Sequence, residues 1–236
     1  MFDVAIFTDS TPEESLHGQG GFQFQSASPG ITPTHEHAIM AAGLIHVVDP
    51  TWVRQPDPLT HPPSCHYRVI GDASYLSRGQ STGDTYTGRP GNQLTQTLVS
   101  SDGVDFVPYR PAQVFGAARW TIQKAGSKLL DAWATPLEID GEFEVAELKR
   151  TLLTDSWAHR SFAAYLTMVE QSLGQPVKKL VIVGDDLGTV MKWIALGTLF
   201  LDPEVGRSVT FSALVRDWLP ANVSIVGAGP VFGTAP

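Results

Sequence analysis

Leu180-Val181-Ile182-Val183 is a continuous apolar run, and the apolar segment Leu187 to Leu201 follows it after a short polar interval. Such a run is typical of a strand covered on both faces, as in parallel α/β sheets, and the segment after it predicts a helix. Val209 to Val215 and Val223 to Val226 predict two further strands. Residues 180–215 therefore predict a βαβ unit with a right-handed crossover.

Two amphipathic helices are predicted upstream of this unit. Apolar side chains recur at helical spacing within Glu142 to Thr154, and again from Phe162 to Leu173. Gly174 and Pro176 predict the end of the second helix. These helices and the βαβ unit together predict an α/β domain over residues 142–236.

The first half of the chain has a different pattern, with short strand-like runs between turn-forming residues. The predicted strands are Val4 to Phe7, Phe22 to Ser26, His66 to Ile70 and Gln93 to Ser100. His35 to Val48 predicts a helix, or a helix that runs into a strand, and the proline-rich segment Arg54 to Pro63 predicts a surface loop. Residues 1–135 therefore predict an α+β domain, mainly an antiparallel sheet with long loops.

Composition excludes several classes of protein. A formal net charge of -8, without a cluster of basic residues, argues against nucleic acid as a partner. A single cysteine, Cys65, cannot form an intrachain disulfide, which fits a reducing compartment. Asp3 lies where a signal peptide would be basic, and no apolar run reaches the roughly 20 residues that cross a bilayer. We therefore expect a cytoplasmic protein with no membrane partner.

The most distinctive segment is the polar loop predicted over Arg78 to Asn92, which is rich in glycine and contains no aliphatic residue. Gly83 to Gly88 has the spacing of a phosphate-binding loop, but Arg89-Pro90 stands where that motif needs lysine followed by serine or threonine. The favoured interpretation is a glycine-shaped hairpin connection, in which Arg89 pairs with Asp84 and Asn92 bonds the turn backbone.

The functional alternative for this loop is a recognition surface. Arg78, Tyr86 and Arg89 would grip a partner, because binding residues are often carried on loops that a rigid scaffold positions. The candidate binding residues are Arg78, Asp84, Tyr86, Arg89 and Asn92.

Asp185 and Asp186 come directly after the predicted strand that ends at Val183, where α/β sheets place groups that contact ligands. Two adjacent carboxylates could hold a magnesium ion through oxygen ligands. The simpler interpretation, which we favour, is that one of them caps the following helix.

Two other patterns suggest chemistry. His35-Glu36-His37 contains good metal ligands, but a zinc site needs three or four converging ligands and this segment lacks the rest. Cys65 and His66 are neighbours on one predicted strand and point to opposite faces, so they do not form a nucleophile and base pair. The sequence thus predicts no catalytic residue, no metal and no cofactor.

Several segments resemble the bacterial GTPase-associated protein, type one, a family common in actinobacteria. Gly21 to Phe24 and Tyr86 to Asn92 are similar to its second type of N-terminal domain. The similarity to its middle domain rests on Leu180 to Val183 with Asp185-Asp186, on Trp193-Ile194 and on Val209 to Phe211. Members of the family often have a histidine four residues after the asparagine that corresponds to Asn92. This chain has Gln96 at that position.

The resemblance implies an adaptor that works beside a small GTPase in a signalling or defence system, with no catalytic residues to carry over. Our leading hypothesis is accordingly a non-catalytic protein-binding adaptor with a protein partner. The alternatives are a nucleotide-binding or phosphoester-hydrolysing enzyme that uses Asp185 and Asp186, and a sensor of a small nucleotide messenger. The sequence leaves the oligomeric state open.

Overall fold

The computed structural model describes residues 1–52, 57–174, 178–213 and 222–229. The chain divides into two compact units. Unit 1 comprises residues 1–66, 70–105 and 119–135, and unit 2 comprises residues 67–69, 106–118 and 136–236. Residues 106–118, which the sequence pattern placed in the N-terminal domain, group with unit 2.

Unit 1 is built on an antiparallel arrangement of strands around one helix. Its elements are β1 (Asp3–Ser10), β2 (Gly21–Ala27), helix α1 (Pro33–Ala41), β3 (Ser64–Ile70), β4 (Ala73–Asp84) and β5 (Pro90–Ser101). The strands lie in the order β2-β1-β5-β4-β3. The β1–β2, β1–β5 and β4–β5 pairs are antiparallel, which confirms the predicted α+β class.

The core of unit 1 lies between α1 and one face of these strands. Its buried members are mostly aromatic or branched side chains: Ala5, Phe7, Phe24, Ile39, Leu44, Tyr75 and Val99. Ala5 and Phe7 alternate with residues on the opposite face of β1, as a pleated strand requires. Helix α1 is shorter than the predicted segment His35 to Val48, because Gly43 follows it with a φ of +64° and ends it.

The largest correction in unit 1 concerns the predicted loop over Arg78 to Asn92. Arg78 to Asp84 belongs to β4 and Pro90 to Asn92 belongs to β5, so only residues 85–89 lie outside strands. β4 carries serine, glycine, glutamine and threonine where strand prediction looks for aliphatic side chains. Its backbone pairing with β5 supplies the hydrogen bonds of this strand whatever its side chains are.

Unit 2 is an α/β arrangement, as predicted. Its elements are α2 (Val145–Thr154), α3 (Ser156–Leu173), β6 (Leu180–Val183), α4 (Leu187–Leu199), α5 (Pro203–Ser208), β7 (Phe211–Ala213) and β8 (Ile225–Ala228). β6 and β7 both pair with β8, and both pairs are parallel. α3 begins before the predicted Phe162, and Asp155 caps it by accepting hydrogen bonds from the N–H groups of Trp157 and Ala158.

The two strands of the predicted βαβ unit, β6 and β7, are both parallel to β8, which lies between them in the sheet. One expectation for unit 2 is corrected. β6 is less covered than its apolar sequence predicted, since Val183 is 64% exposed. Pro176, Val215 and residues 54–56, on which other predictions fell, lie outside the described residues.

A buried aromatic group ties residues 67–69 into unit 2. The Tyr67 ring packs edge-on against Phe106 at 5.5 Å between centroids and lies 5.6 Å from Phe211. Its hydroxyl donates a hydrogen bond to the carbonyl oxygen of Arg207 at 2.7 Å. Burial of this tyrosine therefore leaves no unsatisfied hydroxyl, which would otherwise be costly.

Candidate functional site

The β4–β5 hairpin ends in a tight turn over residues 85–89, which we call the hairpin tip. The N–H of Thr85 donates to the carbonyl oxygen of Arg89 at 2.7 Å, and the N–H of Gly88 donates to that of Thr85 at 2.9 Å. Gly88 has a φ of +76°, a conformation that glycine adopts without steric cost. Residues 85–89 thus form a glycine-containing hairpin turn, which is much shorter than the connection predicted over Arg78 to Asn92.

The hairpin tip is anchored to β1 by a buried carboxylate. Asp9 is 3% exposed, and its Oδ2 accepts a hydrogen bond from the N–H of Tyr86 at 2.5 Å. Asp9 was not among the residues predicted from sequence, although a carboxylate that interrupts the apolar run of β1 is a recognisable signal. A buried acid in a strand needs hydrogen-bond donors, and the tip supplies one.

Asn92 secures the base of the hairpin. Its Oδ1 accepts hydrogen bonds from the N–H of Asp9 at 3.3 Å and from the N–H of Gln93 at 2.7 Å. The Thr8 hydroxyl donates to the carbonyl oxygen of Gln93 at 2.7 Å. Asn92 therefore bonds β1 and its own strand, and the prediction that it bonds the turn backbone is wrong.

Tyr86 lies across the connection between β1 and β2. A methyl group added to Gly20 would lie 2.7 Å from the Tyr86 hydroxyl oxygen, so the end of this side chain lies close to the Gly20 backbone. Tyr86 nevertheless remains 48% exposed. One end of the ring thus lies against the protein, and much of the side chain faces solvent.

Arg89 presents its guanidinium at the surface of the tip. The predicted pair with Asp84 does not form, since none of the ion pairs within the described ranges includes Arg89. Only its backbone is held, through an N–H that donates to the Thr85 hydroxyl at 3.0 Å. Exposed Asp84 and Arg89 flank the turn without pairing.

Arg78 is not brought together with the other predicted binding residues. It lies opposite Gln96 within the β4–β5 ladder. Asp84 lies six positions further along the strand, at a distance of about 20 Å. There it lines a small cavity of about 50 Å³ with Gly79, Gln80, Leu94, Trp120, Thr121 and Ile122. Burial lowers the pKa of Arg78 from its usual range.

A buried histidine cluster on the other face of β4 was missed by the sequence analysis. The rings of His46 and His61 lie 6.4 Å and 5.6 Å from that of Trp52, measured between centroids. The two ring nitrogens of His46 face the hydroxyls of Ser64 at 2.9 Å and Ser81 at 3.4 Å.

Both histidines of this cluster are deeply buried, at 3% exposure for His46 and 4% for His61. Burial, with a smaller contribution from His61, lowers the pKa of His46 to about 4. Neither ring nitrogen of His61 has a hydrogen-bond partner among the residues that the structure describes. His46 is therefore neutral near pH 7, and the cluster lies in the interior of unit 1.

In unit 2, the two adjacent acids after β6 have separate surroundings. Asp186 caps α4: its Oδ1 accepts the N–H of Thr189 and its Oδ2 accepts the Thr189 hydroxyl, each at 2.8 Å. These hydrogen bonds, chiefly that from the Thr189 backbone, lower the pKa of Asp186. Asp185 is exposed. The geometry of Asp186 is that of the favoured capping interpretation.

The remaining sequence candidates have structural partners. His35 completes a capping box with Thr32 at the start of α1, and a carboxylate oxygen of Glu36 lies 2.8 Å from Nε2 of His17. Within the ranges that the structure covers, no three His, Cys, Asp or Glu side chains converge on a metal-binding geometry. Cys65 is fully buried, which raises the pKa of its thiol to about 12, so the thiolate that a nucleophile requires is not formed near neutral pH.

No helix in the described part of the chain has both the length and the apolar character that crossing a bilayer requires.

Comparison with known proteins gives two family matches. Residues 1–136 match the model of GTPase-associated protein 1, N-terminal domain type 2. Residues 147–236 match that of GTPase-associated protein 1, middle domain. No curated protein and no solved structure matches the chain. The two matches together cover nearly the whole sequence, and the chain belongs to the GTPase-associated protein 1 family, with a type 2 N-terminal domain followed by the middle domain.

Proposed function

We propose that this chain is a non-catalytic protein-binding adaptor in a GTPase-linked bacterial signalling or defence system, with the hairpin tip as its contact surface. The family name associates the chain with a GTPase. The observation that carries the proposal is the tip itself, which exposes Tyr86 and Arg89 on an anchored turn. A small GTPase is the proposed partner.

The chemistry of the tip suits protein recognition. Tyrosine and arginine are enriched among the residues that dominate binding energy at protein interfaces. Asp9 already holds the backbone of Tyr86, so a partner would not bear the full entropic cost of ordering the turn that carries this side chain. Arg89 forms no ion pair with a carboxylate of the described residues. Its guanidinium would bind an acidic group of the partner.

Arg78 has a different place in the proposal. Because it lines its own cavity within the β4–β5 ladder, we do not assign it to the contact surface of the tip. If Arg78 binds a ligand, the part of the ligand that enters its cavity has to fit a volume of about 50 Å³.

The experiment is a binding titration against the purified GTPase encoded nearest to the gene of this chain, loaded with GDP or with a non-hydrolysable GTP analogue. Arg89→Ala is expected to weaken binding about tenfold, the effect of losing a central arginine contact. Arg160→Ala is the matched control, because Arg160 is also an exposed arginine and lies in unit 2, away from the tip in the sequence. Unchanged binding by Arg89→Ala would remove the tip from the contact surface.

A thermal-shift series separates the adaptor from the enzyme and messenger-sensor alternatives. ATP, GTP and cyclic nucleotides are added with and without magnesium, since a ligand that binds only the folded state raises Tm by mass action. The adaptor proposal expects no shift with any of them. A nucleotide-dependent rise in Tm that Asp185→Ala abolishes would favour a nucleotide site at the acids after β6.

A further inference from the structure

One side of β6 pairs with no other strand in the part of the chain that the structure describes. The N–H of Leu180 donates to the carbonyl oxygen of Ser224 at 3.0 Å, and the N–H of Gly184 donates to that of Ala228 at 3.1 Å. Parallel pairing uses alternate residues of a strand, so the backbone N–H and C=O groups of Val181 and Val183 point away from β8. Among the described strands, none pairs with this side of β6.

The open edge is apolar and accessible. Val183 is 64% exposed and Val181 and Ile182 are half-buried, although α3 and α4 both pack near this strand. Proteins usually protect such an edge with charges or proline, because unpaired backbone groups beside apolar side chains are a template for another strand. β6 has no proline and no charged residue between Leu180 and Val183.

The charges that flank β6 are arranged as a palindrome. Lys178-Lys179 precedes the strand, and Asp185-Asp186 follows it at the same distance from the central residue, Ile182. An antiparallel copy of the same strand, paired about Ile182, places Lys179 opposite Asp185 and Lys178 opposite Asp186 at both ends. A parallel copy would place like charges opposite each other, which is destabilising.

The same alignment matches the backbone groups. Val181 of one copy lies opposite Val183 of the other, and these are the residues whose N–H and C=O groups point outward from β6. Residues in a hydrogen-bonded antiparallel pair exchange both bonds, so the two pairs supply about four hydrogen bonds. Backbone alternation thus permits this register, and the order of the flanking charges selects it.

We propose that a second copy of this chain pairs with β6 in antiparallel orientation about Ile182, forming a symmetric dimer through unit 2. The contact is isologous, since each copy offers the same strand and both flanking charge pairs are used twice. Asp186 remains charged while it caps α4. Its carboxylate therefore also attracts the ammonium group of Lys178 in the other copy. The strand is short, and we expect micromolar association.

A charge exchange between two variants tests the register. Lys179→Glu and Asp185→Lys each place like charges opposite each other in their own homodimer. In a mixture of the two variants, the introduced glutamate at position 179 of one chain faces the introduced lysine at position 185 of the other. At the opposite end the unchanged Lys179 and Asp185 face each other, so both contacts are restored. Sedimentation velocity over about 1 to 200 μM measures the association of each variant alone and of the equimolar mixture.

The expected result is a concentration-dependent dimer of the native chain, association at least about tenfold weaker for each variant alone, and recovery in the mixture. Lys149→Glu, an exposed reversal on α2 away from β6, is expected to leave association unchanged. A native chain that stays monomeric throughout this range overturns the proposal. So does a dimer that neither variant weakens, or a mixture that fails to recover while circular dichroism shows both variants folded.

Discussion

The carboxylate of Asp9 and the backbone N–H of Tyr86 are joined by a hydrogen bond of 2.5 Å, although 76 residues lie between them in the sequence. The first residue is buried in β1 and the second stands at the exposed hairpin tip. This contact ties the tip to the sheet of unit 1, in addition to the pairing of β5 with β1. The proposed contact surface therefore depends on a residue that no partner would touch.

Replacement of Asp9 tests this dependence. Asp9→Ala removes the acceptor for the Tyr86 N–H, and we expect a loss of about 1 to 3 kcal/mol in the free energy of unfolding. Urea titration measures the loss, and hydrogen exchange at the Tyr86 amide is expected to become faster. Asp84→Ala, at the exposed end of β4, is expected to stay within about 0.5 kcal/mol of the native chain. Equal losses in the two variants would contradict an anchoring role for Asp9.

The close approach of β4 to His46 gives a second prediction. A methyl group at Gly79 would lie 2.3 Å from the Cβ of His46, so Gly79→Ala is expected to cost about 1 to 3 kcal/mol through overpacking. Gly126→Ala is the matched control in the same unit, since a methyl group there meets nothing within 4 Å. Thermal or urea unfolding compares the two. If Gly79→Ala were as stable as the control, His46 would not lie against β4 as described.

Burial of neutral His46 predicts a pH dependence of stability. Its pKa is about 4 in the folded chain against 6.5 for the ordinary side chain. Between these values the unfolded chain binds a proton that the folded chain does not, so stability is full above pH 6.5 and falls as the pH is lowered. From pH 7.5 to pH 5 we expect a loss of about 2 kcal/mol from this residue.

Urea titrations at the two pH values measure this dependence in the native chain and in His46→Gln. The variant is expected to be less stable overall and to lose less stability on acidification, because residue 46 no longer titrates. His37→Gln, at an exposed position of α1, is expected to keep the native pH dependence. A native slope in His46→Gln would assign the acid sensitivity to other groups.

The two acids after β6 are expected to differ in their contribution to stability. Asp186→Ala removes the cap of α4 and should cost about 1 kcal/mol, whereas Asp185→Ala should change the free energy of unfolding by less than about 0.5 kcal/mol. The comparison is made in dilute protein, where association through β6 is negligible. A larger effect at Asp185 than at Asp186 would contradict the capping geometry.

Local patterns in the sequence were enough to predict much of the secondary structure. β1, β2 and β5 alternate or cluster apolar residues, and α2 and α3 repeat them at helical spacing, so each carries its signal within a few residues. β4 gave no such signal, because its polar residues are held by pairing with β5 rather than by their own burial pattern. The predicted loop was wrong for that reason.

The features that shape the candidate site are long-range and were not predictable from adjacent residues. Asp9 accepts a hydrogen bond from Tyr86 only because β1 and the hairpin lie side by side. His46 contacts Ser81 only because the segment after α1 packs against β4. The capping of α4 by Asp186 could be predicted from sequence, because it depends on residues only three positions apart. Sequence spacing therefore identified caps and turns, whereas the long-range contacts of the candidate site depend on the order of the strands in the sheet.

The place of β8 between β6 and β7 has a consequence for synthesis on the ribosome. β6 and β7 both precede β8 in the chain, and neither can form its parallel ladder with β8 until residues 225–228 have left the ribosome. The parallel pairing of unit 2 is therefore completed only after α4 and α5 have been made. Truncation before residue 225 would remove the strand that joins β6 to β7, and β6 would then have no partner among the described strands.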